Sequence, residues 1–153
     1  MKNVNGKIRH ESGRVDELFR VTLKALIIND KGEILVVKES GRDWWDFPGG
    51  GMEHEESVKE SFARELYEEV GMRGDFTFEA LHVSDPHLLG TIDVMQIRIV
   101  FIVKPIEMTF SVGQDSDEIA FIEPGYFEKS NDEYDQEIYR YWSMAKAKGI
   151  VGC

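Results

Sequence analysis

The sequence is expected to adopt an α/β fold of the α+β kind, an α/β/α sandwich around a central mixed β-sheet. Two observations lead there. Apolar, strand-like runs lie on both sides of one well-capped helix in the first half of the chain, and a second helical pattern occupies the C-terminal end. The 153 residues suffice for one core and are too few for two ordinary ones. No internal repeat, low-complexity tract or linker divides them, so 1–153 reads as a single domain with 1–17 as an N-terminal arm.

Met1 to Asp16 is polar and weakly patterned, which fits a loose arm or a short edge strand. Apolar content rises from Leu18 to Ile28, a strand, and Asn29-Asp30-Lys31-Gly32 makes a turn with glycine where positive φ is allowed. Ile34 to Val37 is a second buried strand, so the two are expected to form a hairpin. Ser40 to Asp43 is a loop, followed by Trp44-Trp45-Asp46-Phe47 and a hard break at Pro48-Gly49-Gly50-Gly51.

Ser57 opens a helix. Ser57 and Glu60 have capping-box spacing, and Gly71 closes the helix as its C′ residue. Val58, Phe62, Leu66 and Val70 fall on one face that must bury, while Glu65, Glu68 and Glu69 share a neighbouring wedge. Beyond it, Phe76 to Val83 reads as a strand, Ser84 to Gly90 as a loop, and Ile92 to Val103 as a long strand ended by Pro105. Glu107 to Val112 is a weaker strand candidate; Gln114 to Glu118 is an acidic loop, Ile119 to Ile122 a short strand, and Pro124-Gly125 a stop. Asn131 or Asp132 caps a last helix to about Lys148, with Tyr134, Ile138, Tyr141, Trp142 and Ala145 as its packing face.

Apolar residues make up 42% and charged residues 31%, ordinary for a soluble domain. Net charge is −11, from 18 basic and 29 acidic residues. Such a surface repels nucleic acid and anionic membranes, which argues against a DNA-binding module. It admits a small phosphorylated substrate if a metal neutralises the local field. No run approaches a membrane span, no charged-then-apolar leader is visible, and the one cysteine, Cys153, cannot close an intramolecular disulfide. The expectation is a cytoplasmic protein that meets neither nucleic acid nor membrane.

The most specific signal is a spacing: Gly50, five residues, Glu56, seven residues, Arg64-Glu65-Leu66, one residue, Glu68-Glu69, one residue, Gly71-Met72. Like charges three and four residues apart weaken a helix, so the cluster points to a bound cation. The spacing resembles the Nudix box, G-x5-E-x7-R-E-U-x-E-E-x-G-U with U a bulky aliphatic residue, at every fixed position. Trp45-x-Phe47-Pro48-Gly49-Gly50 is similar to the family's preceding segment, and the resemblance covers about Leu18 to Met144. One departure is Glu55, where many members have glycine; that position is not a ligand in the family pattern.

The resemblance implies that Glu65, Glu68 and Glu69 bind Mg²⁺ or Mn²⁺, with the Gly50 carbonyl and Glu53 joining them. Arg64 would orient a glutamate by a bidentate ion pair, and Glu56 would steady loop and helix and pair with Arg64. The catalytic base lies either in the box, as Glu69 or Glu65, or on the acidic loop, as Glu118 with Asp115 and Asp117 nearby. Lys38 and Arg42 are candidate phosphate contacts and Trp44 a candidate base-stacking surface, each against the alternative of an ordinary solvated or core side chain. His82 and His87 have no assigned role.

The activity implied is metal-dependent hydrolysis of a phosphoanhydride in a nucleoside diphosphate linked to a group X: a nucleoside triphosphate, ADP-ribose or a nucleotide sugar. The subfamily signals do not choose among them. Pro86 lies fourteen residues after the box, one off the register of ADP-sugar-cleaving members. The contrasting possibility is a catalytically silent domain that senses a nucleotide. An isomerase acting on a prenyl diphosphate is disfavoured because the only cysteine is Cys153. Dimers are common among relatives of this kind.

Overall fold

The computed structural model describes residues 2–4, 6–89 and 94–150, and of 2–4 the backbone alone. Cys153, and the expected strand start at Ile92, lie outside the described residues. The arm folds rather than trailing: β1 (Lys2–Val4), β2 (Lys7–Arg9) and β3 (Val15–Glu17) form an antiparallel three-stranded sheet. Its last turn is tied by an Arg14–Asp16 ion pair at 2.8 Å, a short-range feature that the polarity of the segment concealed.

β4 (Phe19–Leu26), β5 (Ile34–Glu39) and β6 (Gly49–Gly51) precede α1 (Val58–Val70). β7 (Phe76–Val83), β8 (His87–Leu89), β9 (Val94–Pro105) and β10 (Ser116–Ile122) follow, then α2 (Pro124–Lys129) and α3 (Glu133–Ala147). The principal sheet runs β6-β4-β9-β7, with β8 also paired to β9. It is mixed: β4 and β9 are parallel, the other pairs antiparallel.

The expected β4–β5 hairpin is only a stub. The turn forms, with Gly32 N–H donating to Asn29 O at 3.0 Å, and one bridge joins Ile28 to Ile34. Beyond it the strands part, because β5 pairs with β10 in a separate two-stranded sheet. Two further expectations are corrected. Residues 107–112 form no strand; near their end the Ser111 N–H bonds Val70 O at the end of α1 instead. Pro124 starts a helix rather than stopping the chain, since its missing N–H is no loss at a first helical position.

Period-two alternation sends side chains to two cores. Leu23, Ala25 and Ile27, with Leu35, Val37, Phe101 and Val103, pack on the α1 residues Phe62, Leu66 and Val70. Leu26, Ile34, Val36, Val100 and Ile102 pack on the other face against Phe127 of α2 and Ile138, Tyr141 and Ala145 of α3. This is the expected α/β/α sandwich. Asp132 caps α3, accepting from the N–H groups of Tyr134 and Asp135.

Candidate active site

The site forms where the C-terminal half of α1 meets β6. Carboxylates there oppose the helix dipole, and α1 has no basic residue in its last turn. The helix end is held by its surroundings. Ser111 N–H donates to Val70 O at 2.9 Å, Gly113 N–H to Glu69 O at 3.1 Å and Asp115 N–H to Glu68 O at 3.1 Å. The Ser116 hydroxyl adds a bond to Glu69 O at 2.6 Å. Helix-terminal carbonyls that would otherwise lack donors are thus satisfied by residues 111–116.

Arg64 organises the carboxylates. Its Nε and Nη2 grip both oxygens of Glu56 at 2.7 and 2.9 Å, Nη1 donates to Glu65 at 2.8 Å, and Nη2 reaches Gly51 O at 3.2 Å. Glu68 and Glu53 lie farther out, at 3.6 and 3.8 Å. The fork on Glu56, with Glu53 N–H also donating to that carboxylate, pulls the Glu56 pKa down to about 2. The expected bidentate pair therefore exists, on Glu56, while Glu65 is held by a single arm.

Glu69 sits apart from its neighbours. It is 3% exposed and accepts from Gly49 N–H at 3.2 Å. Burial pushes its pKa up to about 8, against the opposing pull of Lys24. Glu68 is raised as well, by burial first and then by the charge of Glu65, with Asp115 contributing. Beneath Glu69, buried Lys24 contacts Glu39 at 3.2 Å and Asp46 at 3.3 Å and donates to Phe47 O and Gly49 O, both at 3.2 Å. Burial pulls Lys24 down, yet Asp46 and Glu39 outweigh it and leave its pKa above the ordinary value.

Among the described residues no three carboxylate or imidazole side chains already converge as a closed metal cage. The residues nonetheless fit a hard divalent cation in an open cradle. A Cβ at Gly50 would meet the Glu65 carboxylate at 2.6 Å, so only glycine lets that carboxylate approach the strand. Mg²⁺ keeps several waters and takes one or two protein carboxylates, which fits Glu65 against Gly50, with Glu68 3.6 Å from the Arg64 guanidinium.

The remaining candidates fall on either side. Glu118 is 57% exposed by side chain and lies 3.6 Å from Lys38, whereas Asp115 is the acidic-loop residue that meets Glu68. Lys38 also contacts Asp43 at 3.7 Å and lies over the Trp45 ring. Trp44 is already engaged, stacked on Tyr134 at 4.9 Å and 5.5 Å from the Arg42 guanidinium. Arg42 is also ion-paired with Glu39.

A cavity of about 200 Å³ opens beside Gly50 and Gly51. Its floor is Arg20, Thr22 and Lys24 of β4 with Gln96 and Arg98 of β9, and its rim includes Glu39, Arg42, Asp46 and Leu89. The sequence does not single out these floor residues, because both strands read as apolar runs. The available signal was alternation: Arg20, Thr22 and Lys24 occupy every second position, as do Gln96 and Arg98.

Residues 18–141 match the profile of the NUDIX domain. Over 55 residues the chain is 44% identical to an RNA pyrophosphohydrolase of Shewanella frigidimarina, a match covering 36% of this chain and 32% of that protein. The chain thus spans about a third of the length of the curated relatives it matches. A MutT protein from Methanosarcina mazei superposes with a TM-score of 0.70 at 22% identity, covering 86% of this chain and 95% of that one. The NUDIX domain of NrtR from Shewanella oneidensis, crystallised with ADP ribose, gives 0.66 at 13% identity, covering 87% and 90%.

Proposed function

The chain belongs to the Nudix family, and from that premise we propose that it hydrolyses a phosphoanhydride bond in a nucleoside diphosphate linked to a group X, with Mg²⁺ or Mn²⁺ as cofactor. The observation that carries this reading is the fit of the Glu65 carboxylate against the bare backbone of Gly50, with Arg64 holding Glu65 and Glu56 together.

Glu65, Glu68 and the Gly50 carbonyl would hold the cation, with Glu69 and Glu53 as the further candidate ligands. When bound there, the cation would offset charge on the diphosphate and lower the pKa of an attacking water. Arg64 fixes Glu65, so that one carboxylate oxygen stays available while the other is bonded. A box carboxylate takes the water's proton as the oxygen attacks phosphorus and the bridging P–O bond breaks toward the leaving phosphate. Glu65 is the better placed of the two box candidates, at 15% side-chain exposure against the nearly sealed Glu69. Glu118 would serve as base only if the 114–118 loop moved it away from Lys38.

A substrate screen with Mg²⁺, Mn²⁺ or chelator tests the reading. It would include nucleoside triphosphates, ADP-ribose, nucleotide sugars and, given the name of the curated relatives, a 5′-triphosphate RNA. Turnover with metal and none with chelator is expected. No turnover of any substrate would instead favour a domain that binds a nucleotide without cleaving it.

A further inference from the structure

The cavity beside Gly50 has a charge unlike that of the chain. Four basic side chains line it (Arg20, Lys24, Arg42 and Arg98) against two acidic ones, Glu39 and Asp46, in a chain of net charge −11. The acidic pair is already engaged: Lys24 contacts both, Arg42 pairs with Glu39, and Arg98 donates to Asp46 at 3.0 Å. Two donors remain. The Nε of Arg98, whose guanidinium also lies 3.7 Å from Glu137, is buried without a hydrogen-bond partner among the described residues, a condition that costs free energy unless an acceptor arrives. Arg20 has no ion pair among the described residues, and its guanidinium rests where a Cβ on Gly51 would be, directly beside the box strand.

The placement follows from strand parity. Even-numbered residues of β4 and β9 face away from α1, and higher on that face Leu26, Val100 and Ile102 are covered by α2 and α3. Arg20 and Thr22 stand opposite Gln96 and Arg98 in the parallel register, so one polar floor spans the two strands. Thr22 donates to Gln96 at 2.7 Å and Gln96 contacts His87 at 2.9 Å, which fixes the floor. At about 200 Å³ the space is below the roughly 300–1,000 Å³ that encloses a drug-sized ligand. It admits one part of a substrate.

We propose that this cavity binds a phosphate beyond the diphosphate being cleaved, with Arg20 and Arg98 as its principal donors and Arg42 at the rim. The preferred substrates are then nucleotides whose X is itself phosphate, nucleoside triphosphates or 5′-triphosphate ends, over those whose X is an uncharged sugar. Guanidinium groups suit this task because their planar donors match phosphate oxygens in pairs. The substrate part of this inference rests on the hydrolase reading above; the anion site does not.

Two measurements separate them. In the first, the selectivity of the full chain, kcat/KM for a nucleoside triphosphate over kcat/KM for ADP-ribose, is compared with that of Arg20→Gln and Arg98→Lys. In the second, inorganic pyrophosphate is titrated calorimetrically into each protein in chelator. Arg20 is exposed and outside the ion pairs, so its replacement leaves folding intact; Arg98→Lys retains the charge facing Asp46. Both variants should lose selectivity and pyrophosphate affinity by about 10- to 100-fold. Unchanged affinity, or unchanged selectivity in an active enzyme, would overturn the phosphate site. A chain that binds pyrophosphate through Arg20 yet hydrolyses nothing keeps the anion site and refutes the hydrolase reading.

Discussion

Glu69 shows how a single carboxyl can couple the site to the stability of the fold. Its pKa, pushed up to about 8 by burial, compares with 4.5 for an ordinary glutamate. A carboxyl that binds its proton more tightly when folded contributes fully below the unfolded value, and the contribution is lost as pH rises through the folded value. In chelator, the unfolding free energy of the metal-free chain should therefore decline between about pH 4.5 and 8, as followed by urea titration. Glu69→Gln, which cannot ionise, should show a flatter profile over that window; an equally steep decline would mean that Glu69 is not the group responsible. Residue identity alone announced the glutamates and Arg64, because their spacing is so specific. It gave no hint of Lys24 and Asp46, whose importance comes from being buried together beneath Glu69.

At the level of elements, α1 depends on residues 111–116, a segment that reads in sequence as a weak strand leading into an acidic loop. Its backbone donors meet the carbonyls of Glu68, Glu69 and Val70, and Gly113 passes so close that a Cβ there would overlap the Glu68 carbonyl. Gly113→Ala should destabilise the chain by about 1–3 kcal/mol, the usual effect of overpacking, measurable by chemical denaturation. No measurable change would show that the loop can yield without cost. The helix itself was legible from Ser57 to Gly71. Ser57 accepts from Glu60 N–H at 3.1 Å, and Gly71, at φ 66°, donates to Tyr67 O and closes the last turn. Strand partners were less legible. Periodicity identifies which residues bury together but not which strand lies alongside, so β4 and β5 read as a hairpin although the chain divides them between two sheets.

Across the whole molecule, the two faces of the principal sheet divide the work. One face packs on α1 and fixes the glutamates; the other is apolar under α2 and α3 and polar at the end left uncovered, where the basic cavity lies. β6 separates the two, with Gly50 facing Glu65 and Gly51 facing Arg20. A net acidic chain thereby sets a cluster of carboxylates next to a cationic pocket, the arrangement that the proposed metal-bound, phosphate-rich substrate would require. The cradle could be read from one continuous motif. The pocket could not, because its residues come from strands paired 76 positions apart and meet only through the parallel register of Thr22 with Arg98 and Arg20 with Gln96.

The claim that the box glutamates perform metal-dependent hydrolysis is tested most directly by the turnover of wild-type chain and Glu69→Gln at saturating Mg²⁺ on the best substrate of the screen. Thermal unfolding of the variant would verify its fold. Turnover should drop by about 10²–10⁴-fold while the variant still melts cooperatively; a folded variant that turns over at the wild-type rate would contradict the account.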